Sequence, residues 1–256
     1  MLRRFEAQRL VGSRPRVGET IEAVEAIGKH LLMRFSGGLT LETHMRMTGS
    51  WRLVVAGGRW PKPAHLLRVR IDVDGWQALC FSAPVLRTFP TSSERRELAH
   101  LGPDLCVADP DIDMCLARMT ELCVGTEPLG EVLLDQRVAN GVGNVFKSEV
   151  CWAEQVDPFT PIARVPGELR RRLLETSARL LRANLGPDRR TTVPGGLAVY
   201  GRDRQSCRRC GSPIRRRTIG GLARVTYWCP RCQPSSSRTP EPGPGAAPAA
   251  DQTSGQ

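Results

Sequence analysis

The sequence contains no run of eighteen apolar residues, and residues 1–6 include no apolar core. A membrane-spanning helix needs about twenty apolar residues, and a secretion signal needs an apolar segment near its start. These absences exclude an integral membrane protein. They predict a soluble, cytoplasmic chain that has no membrane partner.

Acidic residues are outnumbered, with 26 Asp and Glu against 37 Lys and Arg, which gives a net charge of +11. Lysine is scarce as well: Lys29, Lys62 and Lys147 are the only three, so arginine supplies nearly all of the excess. Guanidinium groups bind phosphate through paired donors. The charge therefore points to phosphate and nucleic-acid partners without indicating a particular fold.

The number of cysteines, nine, is odd, whereas a disulfide framework typically has an even number. Four of the nine cysteines form two C-x-x-C pairs, Cys207 with Cys210 and Cys229 with Cys232, separated by eighteen residues. This spacing predicts one tetrahedral, structural Zn²⁺ held on a β-hairpin. So short a segment cannot bury a core, so we expect the metal to supply its folding free energy. The odd total and the zinc spacing indicate a reducing cytosol.

The segment that carries the cysteine pairs is densely basic. Residues 214–218 and 224–228 are predicted strands, and Gly220-Gly221 forms the turn between them. Its arginines are Arg208, Arg209, Arg215, Arg216, Arg217, Arg224 and Arg231. A metal-pinned hairpin with this charge suits a phosphate backbone. A purely structural ribbon remains the simpler interpretation of the cysteines themselves.

Residues 1–92 have the alternation and the turns of β structure. The predicted strands are residues 20–27, 30–35, 39–44, 50–56, 65–73 and 76–82. Many short strands separated by glycine-containing turns predict a sandwich or a barrel. We therefore expect residues 1–92 to form an N-terminal β domain.

Residues 93–195 have helical periodicity instead. The predicted helices are residues 111–122, 127–135, 144–154 and 166–185. The cysteine segment, 196–233, follows, and then a Pro-, Ala-, Gly- and Ser-rich tail, 234–256, which we expect to be disordered. The predicted fold class is α+β.

A glycine-containing turn, residues 140–144, precedes the third predicted helix. Exposed N–H groups at the helix start, with Asn144 as a cap and Lys147 one turn on, would form an anion site. An ordinary helix–helix turn is the alternative, and the turn alone does not separate the two.

Residues 133–144, followed by the four-cysteine segment, resemble the formamidopyrimidine-DNA glycosylase and endonuclease VIII family, with the endonuclease VIII branch closer. Residues 28–32, 44–51, 101–105 and 199–202 also fall in the order of the family's motifs. The resemblance implies an N-terminal β-sandwich, then a C-terminal helical domain with a helix–two-turn–helix and a zinc-ribbon hairpin. Double-stranded DNA would lie between the two, bound by a monomeric, bacterial-type, nucleoid-associated protein.

The resemblance also implies an activity, that of a bifunctional DNA glycosylase and AP lyase for oxidised bases, above all pyrimidines, in base-excision repair. The damaged base is extruded and cut out through a Schiff base, and the strand is cleaved by β,δ-elimination. Lys29 matches the lysine that assists β-elimination, and Arg224 matches the arginine that grips phosphate and assists δ-elimination. Expected DNA contacts are Arg46, Met47, Thr48, His100, Asn144 and Lys147, with Met47 as an apolar wedge.

The sequence departs from the family at its start. The family begins with Pro-Glu after the initiator Met, and the amine of that proline forms the Schiff base. An α-amino group titrates near pH 8, so a fraction of such amines is neutral, and therefore nucleophilic, at pH 7. Two interpretations stay open: a start upstream that restores the enzyme, or a non-catalytic binder of damaged or abasic DNA. A zinc-ribbon module for RNA or protein would account for the cysteines but not for Lys29 and the 140–144 turn.

Overall fold

The computed structural model describes residues 1–46, 48–186, 189–221 and 223–235. The predicted wedge Met47 and the predicted tail beyond Ser235 lie outside these residues. The N-terminal half contains eight strands: β1 (Leu2–Ala7), β2 (Ile21–Ile27), β3 (His30–Phe35), β4 (Leu39–His44), β5 (Ser50–Val55), β6 (Leu67–Val73), β7 (Trp76–Phe81) and β8 (Val85–Pro90). They form two antiparallel sheets, ordered β1-β6-β7-β5 and β2-β3-β4-β8.

The two sheets share one apolar core. The first sheet contributes Leu2, Phe5, Val69, Ile71 and Cys80, and the second contributes Met33, Phe35, Leu41 and Leu86. Because alternate residues of each strand point to the same face, one face of each sheet is covered by the other. The predicted antiparallel β architecture of this half is confirmed.

Two strands were missed by the sequence patterns. In β1 the register shifts between Leu2 and Arg4, so the adjacent charged residues Arg3 and Arg4 interrupt the expected alternation. Such a bulge adds a residue to one strand and hides the period of two. The other missed strand, β8, is flanked by Pro84 and ends at Pro90, residues that usually mark the end of a strand.

The second half is helical, with α1 (Glu94–Glu97), α2 (Ile112–Leu122), α3 (Leu129–Val132), α4 (Asn144–Ala153) and α5 (Gly167–Arg182). Three short 3₁₀ helices lie at Ala64–Leu66, Thr91–Ser93 and Ile162–Arg164. Asp111 caps α2 by accepting a hydrogen bond from the backbone N–H of Met114 at 2.8 Å. None of the helices in the described part of the chain has the length and hydrophobicity to cross a bilayer.

The helix predicted at residues 127–135 is shorter than expected. Pro128 has an extended backbone and precedes a single turn, α3, while the Glu127 carboxylate accepts hydrogen bonds from the N–H groups of Val124 and Gly125. Glu127 therefore belongs to the preceding loop. The prediction was wrong in extent because the apolar spacing of this segment reflects burial in the helical core rather than continuous helix.

The cysteine hairpin consists of β9 (Arg215–Ile219) and β10 (Arg224–Trp228), which pair antiparallel from Arg224–Ile219 to Trp228–Arg215. Strand β10 packs against α4. A separate apolar cluster, which includes Trp152 of α4, Ala198, Val199 and Ile214, lies beneath the cysteines. Helix α4 thus packs against both strand β10 and the apolar cluster beneath the cysteines.

Candidate nucleic-acid interface and metal centre

Lys29 lies where the two halves of the molecule meet. It follows Gly28 in the turn between β2 and β3, and the N–H of Gly28 donates to the Asp104 carboxylate at 2.6 Å. The amide nitrogen of Asn140 donates to the carbonyl of Ile27 at 3.3 Å. The hairpin turn of the sandwich is therefore docked on the helical half, and its lysine is held at the junction.

The Lys29 ammonium donates a hydrogen bond to the carbonyl of Val142, in the glycine-containing turn before α4. The side chain of Gln136 donates to the same carbonyl at 3.0 Å and accepts from the N–H of Gly141 at 3.1 Å, so the turn has a fixed shape. Burial and the nearby positive charge of Arg224 lower the pKa of Lys29 to about 8. A fraction of this amine is therefore neutral near physiological pH.

Gly28 is required by this junction. Its φ of +55° is left-handed, and an added Cβ would lie 2.1 Å from the Asn140 Oδ1 atom. Gly38 has a φ of +80° with nothing within 4 Å, so it provides a control for backbone strain alone. We expect Gly38→Ala to lower the free energy of unfolding by about 1 kcal/mol, and Gly28→Ala by about 3 kcal/mol. Urea denaturation measures both, and equal losses would contradict the tight contact with Asn140.

Asn144 links α4 to the hairpin. Its amide nitrogen donates to the carbonyl of Val225 at 2.9 Å, and its oxygen accepts from the Lys147 ammonium at 2.6 Å. The prediction that Asn144 caps its helix is wrong: the N-cap is Gly143, and no side chain caps that end. The asparagine side chain is turned toward β10 instead, where it binds the carbonyl of Val225.

Lys147 does not reach the surface. Its side chain is 0% exposed, and besides Asn144 its ammonium donates to the Thr226 hydroxyl at 2.6 Å. The expectation that Lys147 contacts DNA directly is therefore corrected, because its donors are already engaged inside the protein. Burial chiefly, with the charge of Arg224, lowers the pKa of Lys147 to about 8. Its role in this structure is to hold Asn144 and β10 together.

Arg224 begins β10, next to the residue that Asn144 binds. Its charge acts on both Lys29 and Lys147, lowering the pKa of each. Lys29 binds the carbonyl of Val142, and Asn144 binds the carbonyl of Val225, the neighbour of Arg224, so residues of the sandwich, α4 and the hairpin lie around one place. Like charges this close repel one another, and an anion between them would relieve that repulsion.

The predicted loop at residues 46–48 follows β4 on the same side as Lys29. Arg46 is exposed with a φ of +45°, and its N–H donates to the Nδ1 atom of His44 at 3.3 Å. The hydroxyl of Thr48, also exposed, donates to the carbonyl of Ser82 at 3.3 Å. The structure therefore presents Arg46 and Thr48 at the surface.

His44 was given no role by the sequence, although it opens the 44–51 motif. Burial, together with the charges of His30, Lys29 and Arg46, lowers the pKa of His44 to about 4. A neutral ring can accept the hydrogen bond from Arg46, so His44 fixes the start of the loop. Its ring lies 4.7 Å from that of His30, whose Nδ1 is bonded to the buried Glu42 at 2.6 Å.

His100 is exposed, and its Nδ1 atom lies 3.0 Å from the carbonyl of Glu97 at the end of α1. Within the described ranges no hydrogen bond or ion pair joins it to Lys29 or Asn144. A role for His100 in binding DNA stays a prediction.

A cavity of about 710 Å³ opens beside the start of α4, where Val145 lines it. Its wall carries four arginines, Arg189, Arg190, Arg202 and Arg208, and the ring of Tyr200. Tyr200 lies 5.1 Å from Tyr227 of β10. Because guanidinium groups only donate hydrogen bonds, the cavity suits a ligand that is rich in acceptors.

The four cysteine sulfurs of the hairpin lie within 4.8 Å of one another. Cys207 and Cys232 are 3.9 Å apart, and Cys210 and Cys229 are 3.4 Å apart. Four thiolates on a tetrahedral ion with 2.3 Å bonds are about 3.8 Å apart. The group could therefore hold one metal ion.

Outer contacts fix this cysteine group on α4. The indole N–H of Trp152 points to Cys207 Sγ at 3.4 Å. The side chain of Gln233 accepts from the N–H of Cys229 at 2.8 Å and donates to the carbonyl of Val156 at 2.9 Å. Contacts of this kind orient metal ligands. Any metal held here would also hold the hairpin against the helix that carries Asn144.

Comparison with known proteins follows the same division of the chain. The family model for the formamidopyrimidine-DNA glycosylase N-terminal domain matches residues 3–90, the segment of the eight strands. The probable endonuclease 8 2 of Streptomyces coelicolor is 42% identical over 234 residues, which cover 89% of this chain and 83% of that protein. The DNA-(apurinic or apyrimidinic site) lyase Nei2 of Mycolicibacterium smegmatis is 33% identical over 224 residues, covering 86% and 84%.

Solved structures of the Lactococcus lactis Fpg (MutM) have a similar fold. Its complex with DNA that contains an oxidised pyrimidine matches with a TM-score of 0.74 at 22% identity, covering 86% of this chain and 84% of that one. Its complex with DNA that contains an abasic site matches with a TM-score of 0.73. At this identity the likeness establishes the fold alone.

Proposed function

The chain belongs to the formamidopyrimidine-DNA glycosylase and endonuclease VIII family, near endonuclease 8, and from this we propose that it is a DNA glycosylase and AP lyase of DNA repair. The convergence of Lys29, Asn144 and Arg224 carries the proposal. Three elements far apart in sequence meet there, and two of the three side chains are cations. The names of the relatives support the same class of reaction.

The backbone of double-stranded DNA is the partner that this arrangement suits. A phosphate between Lys29 and Arg224 would relieve their repulsion and raise the pKa of Lys29 toward its ordinary value. The Asn144 amide nitrogen has two hydrogens and gives one to Val225, so the other is available to a phosphate oxygen. The three residues would then grip one stretch of backbone.

The arginine-lined cavity would receive the extruded base. An oxidised pyrimidine carries carbonyl acceptors, which suit the guanidinium donors of this cavity. Extrusion costs a few kcal/mol and is easiest at a damaged base. Arg46 and Thr48, with Met47 between them, would fill the gap that the base leaves.

The four cysteines would hold a single Zn²⁺. Four thiolates leave no open coordination position, so the ion supplies folding free energy to the hairpin and takes no part in the reaction. The ion would affect function indirectly, because it stabilises the hairpin whose strand β10 carries Arg224.

A second candidate is a protein that binds damaged or abasic DNA without cleaving it. The same three residues support it, because a grip of Lys29, Asn144 and Arg224 on the DNA backbone serves binding without requiring cleavage. The family's reaction needs an amine at the sugar C1′ atom to form the Schiff base. The two candidates therefore differ in whether an amine reacts with the abasic site.

Borohydride trapping on a duplex with one abasic site tests the proposal. We expect a covalent protein–DNA adduct, reduced at least about tenfold in Lys29→Met, since this lysine would promote the reaction at the sugar. Lys62→Met is the matched control, because the Lys62 ammonium donates to the Ser50 hydroxyl at 2.9 Å and not to the carbonyl of Val142. Binding without an adduct would favour the second candidate. No preference for the abasic duplex over an undamaged one would overturn both.

A further inference from the structure

Glu149 lies in the middle of α4 and is 1% exposed. One carboxylate oxygen accepts from the N–H groups of Val199 at 2.9 Å and Tyr200 at 2.8 Å. The other accepts from the N–H of Ala198 at 2.7 Å and from the Thr192 hydroxyl. One buried side chain thus binds three consecutive backbone amides and a hydroxyl of the loop before the cysteine hairpin.

This carboxylate has no ion-pair partner in the described part of the chain. Burying an unpaired charge is costly unless several hydrogen bonds satisfy it, and here four donors do so. A glutamine cannot replace it, because its NH₂ group would face N–H donors. The site therefore requires an acidic side chain, which indicates a purpose beyond filling the core.

The loop at residues 191–200 has two other anchors. Asn184, after α5, accepts from the N–H of Thr191 at 2.8 Å, and Arg208 donates to the carbonyls of Pro194 and Gly195. These contacts fix one end of the loop and its tip. Glu149 fixes the other end, where Tyr200 enters the arginine-lined cavity.

Helix α4 thereby connects two surfaces. Toward the hairpin it presents Asn144 and Ser148, whose hydroxyl accepts from the N–H of Tyr227 at 3.3 Å. Toward the loop it presents Glu149. A shift of α4 would therefore move the backbone-gripping residues and the wall of the cavity together.

We propose that Glu149 is a positioning residue that sets the shape of the arginine-lined cavity relative to Asn144, and so determines how well an extruded base is accepted. The assignment of the cavity to a base rests on the proposed function. The positioning itself rests on the hydrogen bonds and burial of Glu149.

Two measurements on Glu149→Gln test this inference. Hydrogen exchange at Ala198, Val199 and Tyr200 should accelerate by about tenfold or more, because these amides lose their acceptors. Affinity for a duplex with thymine glycol should fall about tenfold, while affinity for a duplex with a tetrahydrofuran abasic analogue should change by less than about twofold. The analogue has no base, so it needs only the backbone grip.

Glu154→Gln is the matched control at the C-terminal end of α4, since Glu154 binds Thr176 and Arg172 rather than the loop. It should leave exchange at residues 198–200 and both affinities unchanged. Thr192→Val removes one of the four donors to Glu149 at a half-buried position. It should weaken the preference for the thymine glycol duplex over the abasic-analogue duplex several-fold, so it tests the inference if Glu149→Gln does not fold.

Unchanged exchange, or equal losses of affinity for the two duplexes, would overturn the inference. A residue with a merely structural role would lower affinity for the thymine glycol duplex and for the tetrahydrofuran duplex alike. If the wild-type protein binds neither duplex, the proposed function is wrong. In that case the exchange rates would still decide whether Glu149 positions the loop.

Discussion

Replacing Cys229 with serine should remove the metal ion and unfold the β9–β10 hairpin. A structural Zn²⁺ contributes roughly 10 kcal/mol or more of folding free energy to so small a unit, and three ligands with one hydroxyl cannot hold the ion as tightly. Arg224 would then lose its fixed position beside Lys29, and DNA affinity should fall by about a hundredfold or more. Metal content by mass spectrometry and a DNA-binding titration measure the two effects.

The damage should remain local. The apolar cluster beneath the cysteines shares no residue with the sandwich core, so the β signal of the circular dichroism spectrum should persist. Cys123→Ser is the control: Cys123 is half-buried at the end of α2 and lies outside the cysteine group. A Cys229→Ser protein with a full metal complement, or with undiminished DNA affinity, would contradict this account of the hairpin.

The parts of the molecule that follow local rules were predictable. The C-x-x-C pairs bring two sulfurs together within a few residues, so their spacing alone identified the cysteine group that could hold a metal ion. The cap of α2 at Asp111 and the turn between β3 and β4 follow from residue types at fixed offsets. In each case the residues that interact are neighbours in the chain.

The features that were missed depend on distant partners. Lys147 looked like a surface cation because nothing near it in the sequence reveals that Thr226, 79 residues away, accepts its hydrogen bond. Glu149 likewise finds its donors about 50 residues along the chain, at Ala198, Val199 and Tyr200. A helical charge pattern does not distinguish a solvated residue from one buried against another element.

Arg224→Ala should have two separable effects at the junction. The first is a loss of affinity for DNA of about tenfold, since a hydrogen bond to a charged group contributes roughly 1.5–3 kcal/mol. The salt dependence of binding should weaken by about one phosphate contact. Metal content should not change, because Arg224 does not belong to the group of four cysteines that could hold the ion.

The second effect concerns Lys29. Because the charge of Arg224 helps to lower the pKa of Lys29 to about 8, removing that charge should raise it. Burial, the larger cause, remains, so the pKa should stay below the ordinary value of 10.5. Labelled lysine NMR can follow this titration, since the chain contains only three lysines.

Arg224→Lys separates charge from geometry. It keeps the positive charge, so the Lys29 titration should stay near that of the wild type, while the paired donors of the guanidinium are lost and DNA affinity falls. An unchanged Lys29 titration in Arg224→Ala would mean that the two side chains do not share one electrostatic environment. The proposal that a phosphate binds between Lys29 and Arg224 would then lose its basis, because it depends on an anion relieving the repulsion between them.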